Sequence, residues 1–301
     1  MLNGIISIYK EAGYTSHDVV AKMRGICRQK KIGHTGTLDP QATGVLPVCL
    51  GSGTKLCDML TEKEKEYKAV MLLGVTTDTQ DTTGQVLSEK TVTVTEEQVE
   101  QACRSFLGKY QQVPPMYSAL KVNGKKLYEL AREGKEVERK AREVEILDLQ
   151  ILSVQLPRVE FLVRCTKGTY IRTLCADIGE KLGCGACMES LLRTKVGSFD
   201  LEHSVTLSQL EALRDEGRVD SVLFPVEKAF EQTAFLTVKE EFLKLLHNGN
   251  PLTVNQLLEE RREPAGAWVR MYNPEGRFMA VYTYDEQKGR YQPVKMFLEE
   301  E

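Results

Sequence analysis

The sequence predicts an α+β (mixed α/β) domain followed by a small β-rich one. Three observations carry this. Strand-like and helix-like apolar patterns alternate irregularly through the first two hundred residues. An acidic, polar stretch over residues 201–230 reads as a link to something separate. Beyond it, "AWVRMYNPEGRFMAVYTYDEQKGRYQPVKMF" gives several short strands. At 301 residues the chain accommodates one large domain, over residues 1–230, and one small domain, over 231–301.

The elements follow in order. "GIISIYK" (Gly4 to Lys10) is a short apolar strand. "TSHDVVAKMRGICRQ" has Thr15 and Asp18 in capping-box spacing, with Val19, Val20, Met23 and Ile26 on one stripe, so it predicts an amphipathic helix. The helix runs into a basic cluster, Arg28, Lys30 and Lys31. A glycine-rich loop follows, then the apolar segment "VLPVCLG". "YKAVMLLGV" (Tyr67 to Val75) reads as a strand and "DTQDTTGQV" as a turn-rich connection. "TEEQVEQACRSFLG" predicts a helix opened by Thr95 and Gln98 and closed by Gly108. "VPPMYSALKVNGKKLYELAREGKEV" is long for a connection inside a compact domain, which points to a functional excursion. Strands are expected over Val144 to Val154 and Val159 to Cys165, and a helix directly after Gly168. "FLTVKEEFLKLLHNGNPL" adds a helix to the tail.

Composition is that of an ordinary globular chain, with 42% apolar and 28% charged residues. No apolar run approaches the roughly 20 residues of a membrane span. The N-terminus lacks a basic leader and a cleavage site, so the expected location is the cytoplasm, without a membrane partner. Only "CGAC" (Cys184 to Cys187) has metal-ligand spacing, and no second pair completes four ligands. Buried, reduced thiols are therefore expected, with no metal. Nothing in the pattern suggests a coiled coil or an obligate protein partner, so a monomer is expected.

The net charge of −3 hides a strong division. Residues 1–60 carry net +3, 61–100 net −5, 101–142 net +6, and 201–301 net −6. Local field rather than net charge governs binding to a polyanion. The two basic blocks are thus candidates for a nucleic-acid surface, or simply solvated faces.

One of those blocks contains "GHTGTLDPQATGVLPVCLG" (Gly33 to Gly51), which sets Asp39 between a leucine and a proline. Asp-Pro is a common turn former. Metal binding would need more ligands, and only His34 is local. The segment is not the glycine-rich phosphate loop that ends in Gly-Lys-Ser/Thr. A nucleophile or a base remains, and spacing alone does not choose between them.

The same segment closely resembles the signature of the TruB family of pseudouridine synthases. So do "EYKAVMLLGVTTDTQDTTG", "VPPMYSALKVNGKKLYELAREG", "CTKGTYIRTLCADIGEKLGCGA" and "SLLRTKVGSF", in the family's order and spacing. The resemblance covers residues 1 to about 230 strongly and the tail more weakly. It implies the pseudouridine synthase fold with a mixed central sheet, and a PUA-like RNA-binding tail. It also implies an isomerase that needs no cofactor and converts uridine-55 in the T loop of tRNA to pseudouridine. Asp39 is then the nucleophile on a flipped-out base. Arg172 pairs with it, Tyr67 stacks on the base, Tyr170 stands nearby, Leu191 lines the uracil pocket, and His34 enters the T loop. Lys55, Lys121, Lys125, Lys126 and Arg132 become candidate phosphate contacts. The last four lie in the +6 block, within residues 113–142, an insertion that clasps the T arm in the family.

The chain departs from the family pattern in two places. "DKP" is "YKE" (Tyr9 to Glu11), which is expected to lie away from the chemistry. "LRRT" is "LLRT" (Leu191 to Thr194), with one arginine fewer near the uracil pocket. Two other readings use the same residues: a tRNA-folding chaperone whose catalysis is dispensable, and a hydrolase that releases free uracil.

Overall fold

The computed structural model describes residues 1–122 and 124–298. In chain order the first unit comprises β1 (Gly4–Lys10), α1 (Ser16–Ile26), β2 (Ile32–His34), β3 (Thr43–Leu50), α2 (Cys57–Thr61) and β4 (Lys65–Leu73). It continues with β5 (Val75–Thr77), β6 (Val86–Glu89), α3 (Glu96–Arg104), β7 (Gly108–Gln112), β8 (Lys121–Val122) and β9 (Lys125–Lys126). Next come α4 (Leu127–Arg132), β10 (Arg142–Gln155), β11 (Arg158–Cys165), α5 (Ile171–Lys181), β12 (Ala186–Val196), β13 (Phe199–Asp200) and α6 (Leu207–Asp215). The tail holds β14 (Ala234–Thr237), α7 (Leu243–His247), β15 (Trp268–Tyr272), β16 (Phe278–Asp285) and β17 (Arg290–Met296).

The large sheet runs β1-β3-β12-β4-β11-β10-β7, with β2 beside β3 and β13 beside β12. Its pairs are antiparallel except β12 with β3, so the sheet is mixed, as expected. The parallel contact is short, only Leu192 with Thr43 and Arg193 with Gly44. It joins the exit of the glycine-rich loop to the centre of the sheet. β4 alternates buried and half-buried side chains along its length, which places Tyr67, Ala69 and Met71 on one face under α5 and α3. That layer forms one core with Phe161, Val163, Leu174 and Ile178. A second core lies where α1 and α6 cover β1, built on Ile6, Ile8, Val19, Met23, Leu46 and Leu210.

Several elements match their sequence signals. Thr15 and Asp18 form a reciprocal capping box at α1, and Thr95 with Gln98 does the same at α3. Three expectations need correction. α3 stops at Arg104, and Gly108 opens β7 with φ +87°, a left-handed conformation that suits glycine as well after a turn as at a helix end. β12, the strand at the middle of the sheet, was not expected from "SLLRTKVGSF". Its pairing with β4 shifts register between Met188 and Ser190 and again between Arg193 and Lys195, which breaks the two-residue period that marks a strand. Residues 201–230 are not a free link. Phe224 exchanges backbone hydrogen bonds with Ile5, Val205 pairs with Ile8, and Leu210 is fully buried.

The tail sheet, order β14-β15-β16-β17, has its own core of Leu236, Leu252, Val269, Met271 and Tyr282. It also docks on the first unit. Val281, Phe278 and Phe297 pack with Phe230, Val196, Leu56 and Leu60. At this junction the Lys55 ammonium donates to the Met296 carbonyl (2.8 Å), and Lys295 donates to the Lys55 carbonyl (2.5 Å).

Candidate active site

The loop from Gly33 to Ala42 crosses the ends of β3, β12 and α5, and it is held from several sides. The buried Ser16 hydroxyl accepts from the Leu38 N–H at 2.9 Å. The Pro40 carbonyl accepts from Gly13 N–H (2.9 Å) and from the Lys10 ammonium (3.0 Å). The Asp39 carbonyl accepts from Ala42 N–H at 3.1 Å, closing the turn. Gly44 permits the loop to rejoin the sheet. Its φ is +106°, and a Cβ there would lie 2.2 Å from the Arg193 carbonyl oxygen.

Asp39 points its carboxylate at Arg172, the second residue of α5. Arg172 Nε lies 2.9 Å from Oδ2, and Nη2 lies 3.3 Å from Oδ1, a two-pronged ion pair. Arg172 is only 5% exposed and Asp39 39%, so the pair opens to solvent through the carboxylate. The guanidinium is also held from behind. Nη1 donates to the Thr79 carbonyl (3.0 Å), Nη2 donates to the Tyr117 carbonyl (2.9 Å), and Asp81 Oδ2 lies 3.5 Å from Nη1. One arginine thereby ties together the acid loop, the β5–β6 turn and the insertion. Burial pushes the Asp39 carboxyl above the ordinary carboxylate range. Arg172 opposes that, Asp81 adds to it, and Lys10 opposes it again. The fixed guanidinium opposes that burial and favours the charged form of the carboxylate.

Tyr67 (8% exposed), Leu191 (9%) and Leu38 (3%) belong to one apolar cluster beside this pair. On the sheet Tyr67 is the direct cross-strand neighbour of Arg193, and Leu191 that of Ala69. Burial pushes the Tyr67 phenol up, so it is neutral. Tyr170 caps α5; its N–H and carbonyl are both held by the Gln112 side chain, at 2.8 and 3.0 Å. The structure therefore brings Asp39, Arg172, Tyr67, Tyr170 and Leu191 into one neighbourhood.

His34 ends β2 and meets the ring of His17 edge-on at 5.3 Å. Its Nδ1 accepts from Gly36 N–H (3.3 Å), which leaves the proton of the neutral ring on Nε2. Burial, then His17 and Arg193, lower its pKa to about 4. Acidification should therefore cost stability below the ordinary histidine range, because the unfolded chain takes up a proton that the folded chain refuses. The matching observation is an NMR titration in which the His34 ring signals hold steady on acidification and turn over near pH 4.

Lys121, Lys125, Lys126 and Arg132 all lie on the insertion, as its basic composition suggested. Lys125 is 61% exposed with Glu133 3.8 Å away. Lys126 and Arg132 lie over the Tyr128 ring at 5.3 and 5.5 Å, a cationic and aromatic cluster that the charge count did not reveal. Asn123, between β8 and β9 in sequence, lies outside the described residues. Lys55 lies elsewhere. Its ammonium serves the junction with the tail sheet, apart from the groups around Asp39.

Sequence reasoning missed three groups. Asp81 sat in a segment read as a turn-rich connection and as part of a family motif, with no role given to the residue; its Oδ1 accepts from Thr79 and Thr83 hydroxyls and its Oδ2 faces Arg172. Arg193 is 1% exposed, donating to the Val45 carbonyl (2.7 Å) and the Gly36 carbonyl (3.3 Å). Lys10 overturns the view that "YKE" lies away from the chemistry. It is fully buried, and its ammonium joins the carbonyls of Tyr14 (2.6 Å), Glu11 (3.1 Å) and Pro40. Burial lowers its pKa to about 8, while Asp39 pulls it back up.

A family model described as TruB family pseudouridylate synthase (N terminal domain) matches residues 24–171. A second, tRNA pseudouridylate synthase B C-terminal domain, matches residues 172–231. A protein of Lachnoclostridium phytofermentans named tRNA pseudouridine synthase B is 51% identical, over 99% of this chain and 100% of its own. The chain belongs to the TruB family.

A TruB-family relative from Bacillus pumilus, with the same name, is 42% identical over 94% of this chain and 93% of its own. Among solved structures, a Cbf5-Nop10-Gar1 complex contains a chain that superposes with TM-score 0.73 at 28% identity, covering 98% of this chain and 85% of that one. A chain in an H/ACA RNP bound to a substrate RNA containing 2′-deoxyuridine superposes with TM-score 0.71 at 26% identity, over 98% and 85%. The fold is that of the pseudouridine synthases, with a mixed central sheet and a C-terminal β domain.

Proposed function

We propose that this TruB-family protein isomerises uridine-55 in the T loop of tRNA to pseudouridine. The observation that carries the reading is the Asp39 carboxylate, gripped by a buried Arg172 yet 39% exposed, on a loop whose Leu38 belongs to the same apolar cluster as Tyr67 and Leu191. That arrangement suits nucleophilic attack on a base flipped out of its stack. Asp39 attacks the target nucleotide, at C1′ or at C6. The N1–C1′ bond breaks, the uracil turns, C5 bonds to C1′, and the bond between Asp39 and the nucleotide breaks to return the free carboxylate. The proton on C5 is lost and N1 gains one, so the sum is an isomerisation that needs no external group. Tyr67 stacks on the base, Tyr170 stands nearby, and neutral His34 fills the T loop where bases are displaced.

Residues 1–230 act as the catalytic domain, and the insertion over 113–142 clasps the T arm through Lys121, Lys125, Lys126 and Arg132. Residues 231–301 serve as the PUA-like RNA-binding domain. The protein works as a monomer in the cytoplasm. Supporting this reading, the curated relatives are named for tRNA, and no helix among the described residues is long and apolar enough to cross a membrane.

Incubation with a T-arm transcript tests the proposal: one pseudouridine at the expected uridine supports it, free uracil indicates a hydrolase, and binding without conversion indicates a chaperone. The affinity should fall with rising salt, with a log–log slope of roughly 0.7 per phosphate neutralised. Lys125→Glu with Lys126→Glu should weaken binding and flatten that slope while leaving the single-turnover plateau rate nearly unchanged. An unaltered slope would remove these lysines from the RNA surface.

A further inference from the structure

The turn between β5 and β6 holds a glutamine in an uncommon backbone conformation. Gln80 has φ +63°, in the left-handed region that glycine and asparagine enter readily and longer side chains seldom do. Among the described residues the other non-glycine positions with positive φ are Arg28, just after α1, and Glu260, in the tail. Such strain persists where the surrounding bonds enforce it. Here they do. The Gln80 N–H donates to the Thr77 carbonyl (3.2 Å), and its carbonyl accepts from Met188 N–H on β12 (2.9 Å). Thr82 N–H donates back to the Met188 carbonyl (3.0 Å), so the turn is pinned to the central strand.

What this conformation achieves is visible at Arg172. Its Nη1 serves the residues on either side of Gln80, donating to the Thr79 carbonyl at 3.0 Å and lying 3.5 Å from Asp81 Oδ2. Gln80 itself reaches the next residue of α5. The hydroxyl of Thr173, which is 2% exposed, donates to its Oε1 at 2.7 Å. Three consecutive turn residues thus engage two consecutive helix residues. The other two guanidinium nitrogens, Nε and Nη2, are the ones that face the Asp39 carboxylate. A guanidinium is planar and rigid, so an anchor on one nitrogen sets the direction of the other two. Turn geometry alone would be met with less strain by glycine or asparagine. Glycine has no amide and asparagine is one methylene shorter, so what glutamine adds is the reach to Thr173.

We propose that Gln80 is a positioning residue for the reaction: bonded to Thr173, it locks the turn onto α5 so that Arg172 Nη1 is held and the rest of the fork is aimed at the nucleophile. Gln80 acts only through Arg172 and touches no reacting atom. This inference rests on the roles given to Asp39 and Arg172 above.

Gln80→Asn tests it, because asparagine tolerates the left-handed backbone but falls short of Thr173. The single-turnover plateau rate on the T-arm transcript should fall by roughly tenfold or more, the scale of a small misplacement of a catalytic group. The transcript concentration that gives half the plateau should stay at the wild-type value. Thr173→Val should give the same loss, and Thr173→Ser, which keeps the hydroxyl, should keep the wild-type rate. The Gln80→Asn, Thr173→Val double variant should be no slower than either single one. In an Arg172→Lys background, where no fork exists to aim, Gln80→Asn should cause no further loss. An equal loss in that background, or multiplied losses in the double variant, would make the role merely structural and overturn the proposal. So would a wild-type rate in Gln80→Asn, or a raised half-plateau concentration at an unchanged rate, which would make Gln80 an RNA contact. A wild type that makes no pseudouridine refutes the proposed function itself, a result distinct from a normal wild type beside unaffected variants.

Discussion

Asp39→Asn should abolish turnover, by roughly 10⁴-fold or more, while T-arm affinity stays close to wild type. The amide is nearly isosteric, so the loop contacts of Leu38, Pro40 and Ala42 can survive. What goes is the negative charge and its nucleophilic oxygen. Single-turnover rates with excess enzyme, paired with a filter-binding curve, separate the two effects. A variant that binds and also turns over would remove the nucleophile from this account. Stability should change little, because Arg172 keeps Asp81 and two carbonyls as partners.

Arg172→Met should be damaging in a different way. The side chain is 5% exposed and serves Asp39, Asp81, Thr79 and Tyr117 together. Removing one partner of a buried ion pair costs about 3–5 kcal/mol, because the remaining carboxylates lose their counter-charge. Asp39 keeps 39% exposure, so solvent tempers its share, and most of the cost falls on Asp81, which is 14% exposed. Melting temperature and single-turnover rate should fall together, the latter by at least about 10²-fold through the misplaced nucleophile. Arg172→Lys should recover much of the stability but little of the rate. An ammonium keeps the charge but cannot reach four partners in a planar fork. Equal rates for the lysine variant and wild type would show that charge alone suffices.

Local signals made much of this molecule legible in its sequence. The capping boxes at α1 and α3 depend on residues three apart, and both formed as read. The strands at Gly4, Tyr67, Val144 and Val159 were visible from their apolar runs. β12 was not, since two register shifts against β4 break the two-residue period along it. The candidate site divides along the same line. Asp39, Arg172, Tyr67, Tyr170, Leu191 and His34 were found through motif resemblance, and the fold gathers five of them around one ion pair.

Lys10, Asp81 and Arg193 escaped because their partners are distant in sequence. Lys10 meets Pro40, Asp81 meets Arg172, and Arg193 meets Gly36 and Val45. No spacing rule reports a contact across so many residues. The charge map had the reverse fault. It placed Lys121, Lys125, Lys126 and Arg132 on a common basic segment. For Lys55 it gave only a sign, and the fold set that side chain at the junction with the tail.

The most direct test of the central claim is single-turnover release of tritium from C5-labelled uridine in a T-arm transcript, with wild type and Asp39→Asn side by side. The account predicts stoichiometric release by wild type and none by the variant, with both binding the transcript. Release by the variant, or none by a wild type that still binds, would contradict it.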